Sequence, residues 1–551
     1  MSVLSKVLGR IMKLPPATGT VRVERNLRIP MRDGVQVLAH RYVPEGAANA
    51  PLILVRSPYG RAGAFGILTG ELFAERGFQV VLVSVRGTFG SGGVLFPFQQ
   101  EKDDGADVVK WLRTQHFYPG AFATHGPSYL GLTQWAIAAS AGPELKAMSL
   151  QVTASEFRNQ TYAGESFALE NALAWSDLIT HQELPLAQML WHQVYKPNLA
   201  RALMHLPLRE ADRIATGQTV SFYQQWLLHE TPGDPWWAPA MHDDTVAQVT
   251  AAIQMSTGWY DLFLPWQLQD YERLKAAGRA PRLTIGPWAH ADPKSFGAAL
   301  RAALPWLNQI LREDPAPPTP PVRIFVGGQE AWRELAVWPP ESKSVRWYLQ
   351  AQRGLSAALP THVEPDTFIY DPATPTPSVG GPLLQGKTSG PRDNRKLEAR
   401  SDVLVYTSPV LTEDLEVIGI PEADLFVRSS LGHSDFFARL CDVHPNGLSL
   451  NVCDALLRVK DGMAEQTGDG QWHLRFALWP TAHRFLAGHR LRVQISSGAH
   501  PRYARNLGTG EPLGAGTRMH SATQTVFHDP EHPSAILLPV TSPASSPVTK
   551  T

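Results

Sequence analysis

The stretch His125-Gly126-Pro127-Ser128-Tyr129-Leu130-Gly131 follows an apolar run with the character of a strand and precedes Leu132-Thr133-Gln134-Trp135-Ala136-Ile137-Ala138-Ala139, which reads as a buried helix. A serine between glycines at a strand-to-helix junction suggests a nucleophile elbow, where small residues permit a strained turn that lifts the hydroxyl clear of the sheet. The second glycine comes three residues after the serine rather than two, so the generic G-x-S-x-G pattern is not matched. Taken by itself the stretch also reads as a plain turn punctuated by glycine.

The rest of the chain supplies the context. Its 551 residues exceed what one core can hold, since single cores stop growing near roughly 250 to 300 residues. Two or three domains are expected. Fifty Lys and Arg balance fifty Asp and Glu, so no basic excess marks a nucleic-acid footprint, and a small-molecule partner is expected instead. Cys441 and Cys453 sit in apolar runs and read as buried free thiols rather than a disulfide or a metal site. Met1 to Pro15 lacks the continuous apolar core of a signal peptide, and no run approaches the roughly 20 apolar residues of a membrane span. A cytoplasmic protein with no cofactor and no membrane partner is expected, and a homo-oligomer is left open.

Residues 20 to 44 alternate apolar and polar around Arg32-Asp33-Gly34, a hairpin signal. Pro51 to Arg56 and Phe78 to Val85 are continuous apolar runs, as in strands buried on both faces of a parallel sheet. Leu72 to Arg76 reads as helix. The glycines of Arg86-Gly87-Thr88-Phe89-Gly90-Ser91-Gly92-Gly93 do not fit G-x-G-x-x-G, which argues against a dinucleotide site. Glu101 to Gln115 begins with Asp103, Asp104 and Asp107 and ends with Lys110 and Arg113, the polarity a helix dipole favours. From Ser155 to Ala251 helical spacing with many aromatics takes over, including Trp175, Trp191, Tyr223, Trp226, Trp236 and Trp237. Most of these rings are expected to be packing in an inserted helical cap.

Strand patterns return at Ala252 to Asp261 and at Arg282 to His290. Residues 314–321, rich in proline, read as extended, ahead of a strand from Val322 to Val326. From about Val345 short strands recur between Gly, Pro and Asp turns, which argues a β-sandwich. The expected division is an α/β catalytic domain at 1–154 and 251–344, a cap at 155–250 and an all-β domain at 345–551.

Ser128, Asp261 and His290 each lie just past a separate strand, where open α/β sheets place their active sites. They occur in the order Ser, Asp, His, that of α/β-hydrolases. A serine hydroxyl is a weak nucleophile, so a histidine must take its proton, and an aspartate must fix that histidine's tautomer. A lone strand-end Asp or His is more often a cap; three in this order favour catalysis.

Ser57-Pro58-Tyr59-Gly60, Arg86 to Gly93, Gly126-Pro127-Ser128-Tyr129-Leu130-Gly131, Gly258-Trp259-Tyr260-Asp261-Leu262-Phe263 and Gly286-Pro287-Trp288-Ala289-His290 together resemble the X-Pro dipeptidyl-peptidase and cocaine-esterase family of serine hydrolases. The resemblance spans nearly the whole chain, including Gly488 to Ser497, and G-x-S-Y-x-G is that family's own elbow. It implies an α/β-hydrolase domain, a helical cap inserted after the sixth strand and a C-terminal jelly roll. It also implies an oxyanion hole from the hydroxyl of Tyr59 and the backbone N–H of Tyr129, a sensible choice because no HGGG-like loop follows the strand ending at Arg56. Members that take α-amino acid esters place acidic residues just after the triad aspartate. Leu262, Phe263 and Leu264 stand there, which disfavours an amine pocket, and the long N-terminal domain of dipeptidyl-peptidase members is missing. The resemblance is therefore nearest to cocaine-esterase-like carboxylesterases, with Phe263, Tyr162 and Trp175 at the acyl-pocket positions and Tyr162 replacing a tryptophan. A serine carboxylesterase is the expected activity, an amidase or dipeptidyl-peptidase-type hydrolase the alternative, and an inactive carbohydrate-binding protein the remaining one.

Overall fold

Leu52–Ser57 (β3) and Gln79–Ser84 (β4) are buried along their whole length and pair in parallel, because a continuous apolar run can be satisfied only with packing on both faces. The structure is a computed structural model describing residues 3–542 apart from 48, 186–187, 189–196, 315–319 and 461–469. Val21–Pro30 (β1) and Gln36–Pro44 (β2) form the antiparallel hairpin expected around Arg32-Asp33-Gly34, and β2 then pairs antiparallel with β4. Phe122–Pro127 (β5), Leu145–Gln151 (β6), Ala252–Tyr260 (β7), Arg282–Ala289 (β8) and Val322–Val326 (β9) extend the parallel part, and Ala331–Leu335 (β10) closes it antiparallel. The spatial order is β1-β2-β4-β3-β5-β6-β7-β8-β9-β10.

The acidic helix Glu101–Arg113 does more than complement its own dipole. Asp103 and Asp107 hold Arg32 at the hairpin turn, while Asp104 and Asp33 share Arg86. The glycine-rich loop after β4 is thus anchored by its own first arginine rather than built to hold a phosphate. The region expected as one helix over Leu72 to Arg76 is the end of a longer helical stretch, Gly63–Gly66, Ile67–Glu71 with π geometry, and Leu72–Ala74.

Between β6 and β7 the chain leaves the sheet and returns. Helices Leu169–His181, Pro197–Met204, Ala211–Thr216 and Ser221–Leu228 pack there. Tyr223, Trp226 and Trp237 are buried as expected of packing rings; Trp191 lies outside the described residues, as do 315–319 of the proline-rich segment. No described helix is long and apolar enough to cross a membrane.

The second sheet has thirteen strands among the described residues. It opens at Lys343–Gln350, so the expected limit at 344 cuts off that strand's first two residues, Lys343 and Ser344. Cys441 and Cys453 are free and buried there, and burial pushes both thiols up. The all-β domain also grips the cap: Glu170 N–H donates to the Pro501 carbonyl and Ala504 N–H to the Phe167 carbonyl. Its interior holds Asp454 between Arg439, at 2.9 Å, and Arg502. Burial alone would raise the Asp454 carboxyl, but the two guanidinium charges hold it below the usual carboxylate range. Removing it strands two buried cations. Asp454→Ala is expected to cost about 3–5 kcal/mol, read as an earlier denaturant midpoint of the all-β domain by its tryptophan fluorescence.

Candidate active site

Ser128 is the first residue past β5 and adopts φ 55°, ψ −123°, a conformation that disfavours any residue with a Cβ. Hydrogen bonds on both sides of its peptide units hold it there. Its N–H donates to the Gln151 carbonyl at 2.9 Å, and its carbonyl accepts from Gly131 N–H and Thr153 Oγ1, each at 2.8 Å. The helix Tyr129–Ala138 that follows is buried at all ten positions. The late glycine of the motif now has a reason: a Cβ on Gly131 would lie 2.2 Å from Thr153 Cγ2. The helix can lie this close to the loop after β6 only without a side chain at that point.

Asp261 and His290 are likewise the first residues past β7 and β8. These strand ends approach closely, since a Cβ on Gly258 would lie 2.1 Å from the Trp288 carbonyl oxygen, and the β7–β8 register shifts between Gly258 and Tyr260. His290 Nε2 lies 3.0 Å from Ser128 Oγ, and His290 Nδ1 lies 2.8 Å from Asp261 Oδ2. A carboxylate can only accept, so Nδ1 carries the proton and Nε2 is left to accept from the serine hydroxyl. The other Asp261 oxygen, Oδ1, accepts from Phe263 N–H at 2.8 Å, and the carboxylate is fully buried. His125, only three residues before the serine, takes no part: it is buried against Phe73, and burial lowers its pKa to about 3, leaving it neutral.

The two tyrosines differ in what they contribute. Tyr59 Oη accepts from Trp175 Nε1 at 3.1 Å and keeps its own proton to donate. Burial pushes its pKa up to about 12 despite its contacts with Trp175 and Ser128, so it stays a donor at ordinary pH. The Tyr129 side chain instead donates from Oη to Glu101 Oε1 at 2.6 Å and accepts from Phe98 N–H. Glu101 in turn faces Arg56 at 3.0 Å. This places the Tyr129 ring behind the elbow, while its N–H, at the first position of the helix, has no acceptor within the helix.

A cavity of about 560 Å³ opens over the serine. Tyr59, Ser128, Tyr129, Phe263, Trp175 and His290 line it, together with Phe89, Phe98, Phe157, Trp226 and Leu384. Leu384 comes from the all-β domain, a contribution no local sequence signal carries. Phe263 reaches the site with its ring 5.7 Å from that of His290. Tyr162 does not reach it. Its ring packs against Phe167 and Trp237 and its hydroxyl donates to the Trp226 carbonyl at 2.5 Å, so a position expected in the acyl pocket is core, because the tyrosine hydroxyl finds its partner inside the cap. Trp226, expected as packing, is both buried and part of the wall.

No metal was expected. Outside the cavity the structure does gather Asp442, His444 and His489, with potential ligand atoms within 4.8 Å of one another. There the Asp442 oxygens already accept from His483 and His489 at 2.9 and 2.8 Å.

Comparison with known proteins gives the same outline. The family model of the X-Pro dipeptidyl-peptidase (S15 family) matches residues 33–292, and that of the X-Pro dipeptidyl-peptidase C-terminal non-catalytic domain matches residues 316–537. The cocaine esterase of Rhodococcus sp. (strain MB1 Bresler) is 30% identical over 95% of this chain and 99% of its own. Among solved structures, an α-amino acid ester hydrolase superposes with a TM-score of 0.81 at 23% identity, covering 96% of this chain and 98% of that one. An aminopeptidase from a marine sediment archaeon, Thaumarchaeota archaeon, does so with a TM-score of 0.81 at 22% identity and the same coverage. At these identities the two structures speak for the fold: an α/β-hydrolase domain with a C-terminal all-β domain. The chain belongs to the X-Pro dipeptidyl-peptidase (S15) and cocaine-esterase family and is a hydrolase.

Proposed function

We propose that this hydrolase is a serine carboxylesterase working through an acyl-enzyme, with Ser128 as nucleophile, His290 as general base and acid, and Asp261 as the group that orients His290. The observation that carries the reading is the 3.0 Å approach of Ser128 Oγ to His290 Nε2, with Nδ1 held at 2.8 Å by Asp261. The serine hydroxyl passes its proton to Nε2 as Oγ attacks the ester carbonyl. Negative charge then builds on the carbonyl oxygen, and the donors available to it are the hydroxyl of Tyr59 and the N–H of Tyr129. The alcohol leaves with the proton from His290, and a water activated by the same nitrogen releases the acid.

The cavity argues for the ester reading over a peptidase that grips a free amino terminus. No Asp, Glu, Lys or Arg is among its described lining residues, so a substrate ammonium would lose its hydration without gaining a carboxylate partner. A small-molecule ester with a sizeable apolar group fits the aromatic walls. The buried free thiols of Cys441 and Cys453 suit a reducing compartment and go with a cytoplasmic setting.

Ser128→Ala is expected to lower kcat by roughly 10⁴ to 10⁶, and retention of esterase activity would remove the reading. Tyr59→Phe is expected to lower kcat by about 10² to 10³ with little change in KM, as for an oxyanion donor. Matched p-nitrophenyl esters and p-nitroanilides separate the esterase from an amidase: the esterase cleaves the ester far faster, beyond its greater intrinsic lability.

A further inference from the structure

Away from Ser128, His290 and the two tyrosines, the described wall of the cavity is apolar and aromatic except for Thr161 and three primary amides, whose side chains are wholly or partly without partners. Asn171, Trp175, Leu178 and Gln182 line the cavity from one side of the chain Leu169–His181 and its continuation, at spacings of four, three and four that put them on one helical face. Asn171 Oδ1 and Gln182 Oε1 are buried without a hydrogen-bond partner; the amino end of Gln182 donates to the Pro58 carbonyl at 3.0 Å. Gln160, from the short helix Arg158–Thr161, is 6% exposed. Among the described residues the side chains of Gln160 and Asn171 make no hydrogen bond at all.

An orphaned buried carbonyl is destabilising, and gathering unpaired amides at one cavity is unusual for a region that serves only packing. Water can satisfy such groups while the cavity is empty. A substrate that displaces the water must bring its own donors and acceptors or lose affinity. The carbonyl oxygen of Asn171 calls for an N–H or O–H, the amino groups of Gln160 and Asn171 call for an acceptor, and the absence of charged side chains from the described lining calls for neutrality. A secondary amide meets all three requirements. Position also fits, because Trp175, which donates to Tyr59 Oη, lies one helical turn from Asn171, about 6 Å along the axis. An amide one or two bonds from the reacting carbonyl spans such a gap.

We propose that Gln160 and Asn171 form a polar subsite that takes an uncharged secondary amide on the acyl portion of the substrate, so that the substrate class is neutral N-acylated esters rather than simple hydrocarbon esters. The inference rests on the carboxylesterase reading and deepens it. The probes are p-nitrophenyl N-acetylphenylalaninate and p-nitrophenyl 2-benzylpentanoate, of matched shape with and without the amide. Each kcat/KM is corrected for that ester's own hydroxide-catalysed rate, and active sites are counted with a fluorophosphonate label so that misfolded enzyme does not enter the ratio. The amide ester is expected to be preferred by about 10-fold or more, one hydrogen bond's worth. In Asn171→Leu and, separately, Gln160→Leu the preference should collapse towards unity through loss on the amide ester. Equal corrected rates in the unaltered enzyme, a preference surviving both substitutions, or a preference shown instead by p-nitrophenyl 3-phenyllactate alone would overturn the amide subsite and leave the esterase standing. Hydrolysis of neither ester would remove both.

Discussion

The strained backbone of Ser128 is the constraint on which the catalytic half of the molecule depends. A residue with φ 55° persists only where its surroundings over-determine it. Those surroundings come from three directions: the β6 carbonyl at Gln151, the hydroxyl of Thr153 and the buried helix that begins at Tyr129. Behind the helix, Tyr129, Glu101 and Arg56 form a buried polar chain in which Arg56 also donates to the carbonyls of Glu101 and Thr133. The same tyrosine that offers its N–H at the site is therefore pinned by its side chain. Orientation of that N–H is thereby set by the fold itself.

The cap and the all-β domain complete what the sheet begins. The sheet brings Ser128, Asp261 and His290 together from the ends of β5, β7 and β8, but it encloses nothing. Trp175 and Trp226 from the cap and Leu384 from the all-β domain supply walls, and the Glu170 and Ala504 backbone bonds hold the two together. Trp175 serves both purposes, since it bounds the cavity and donates to the oxygen of Tyr59.

Much of this was legible in the residues. Continuous apolar runs specify buried parallel strands, because the period of a strand's burial shows directly in its sequence. The order Ser128, Asp261, His290 and their places after strands pointed to one site, because the carboxyl ends of a parallel sheet converge. The strain at Ser128 was likewise written into the glycines beside it, although the role of Gly131 became clear only when Thr153 stood opposite. Tyr162 shows the limit. Its position along the chain suited the acyl pocket, yet its hydroxyl is committed to the Trp226 carbonyl, 64 residues away, and a hydrogen bond across that separation leaves no local trace.

The sequence by itself determined the class of chemistry and the sheet that carries it, because nucleophile, base and strand pattern are local properties of residue type and spacing. Tertiary structure alone decided the shape and polarity of the cavity. Its walls come from the cap, the strand-end loops and the all-β domain at once, so which aromatic faces the substrate and which amide is left without a partner depends on packing among segments far apart in the chain. The elbow motif marks where Ser128 stands; the contacts of the cap and the all-β domain decide what can reach it.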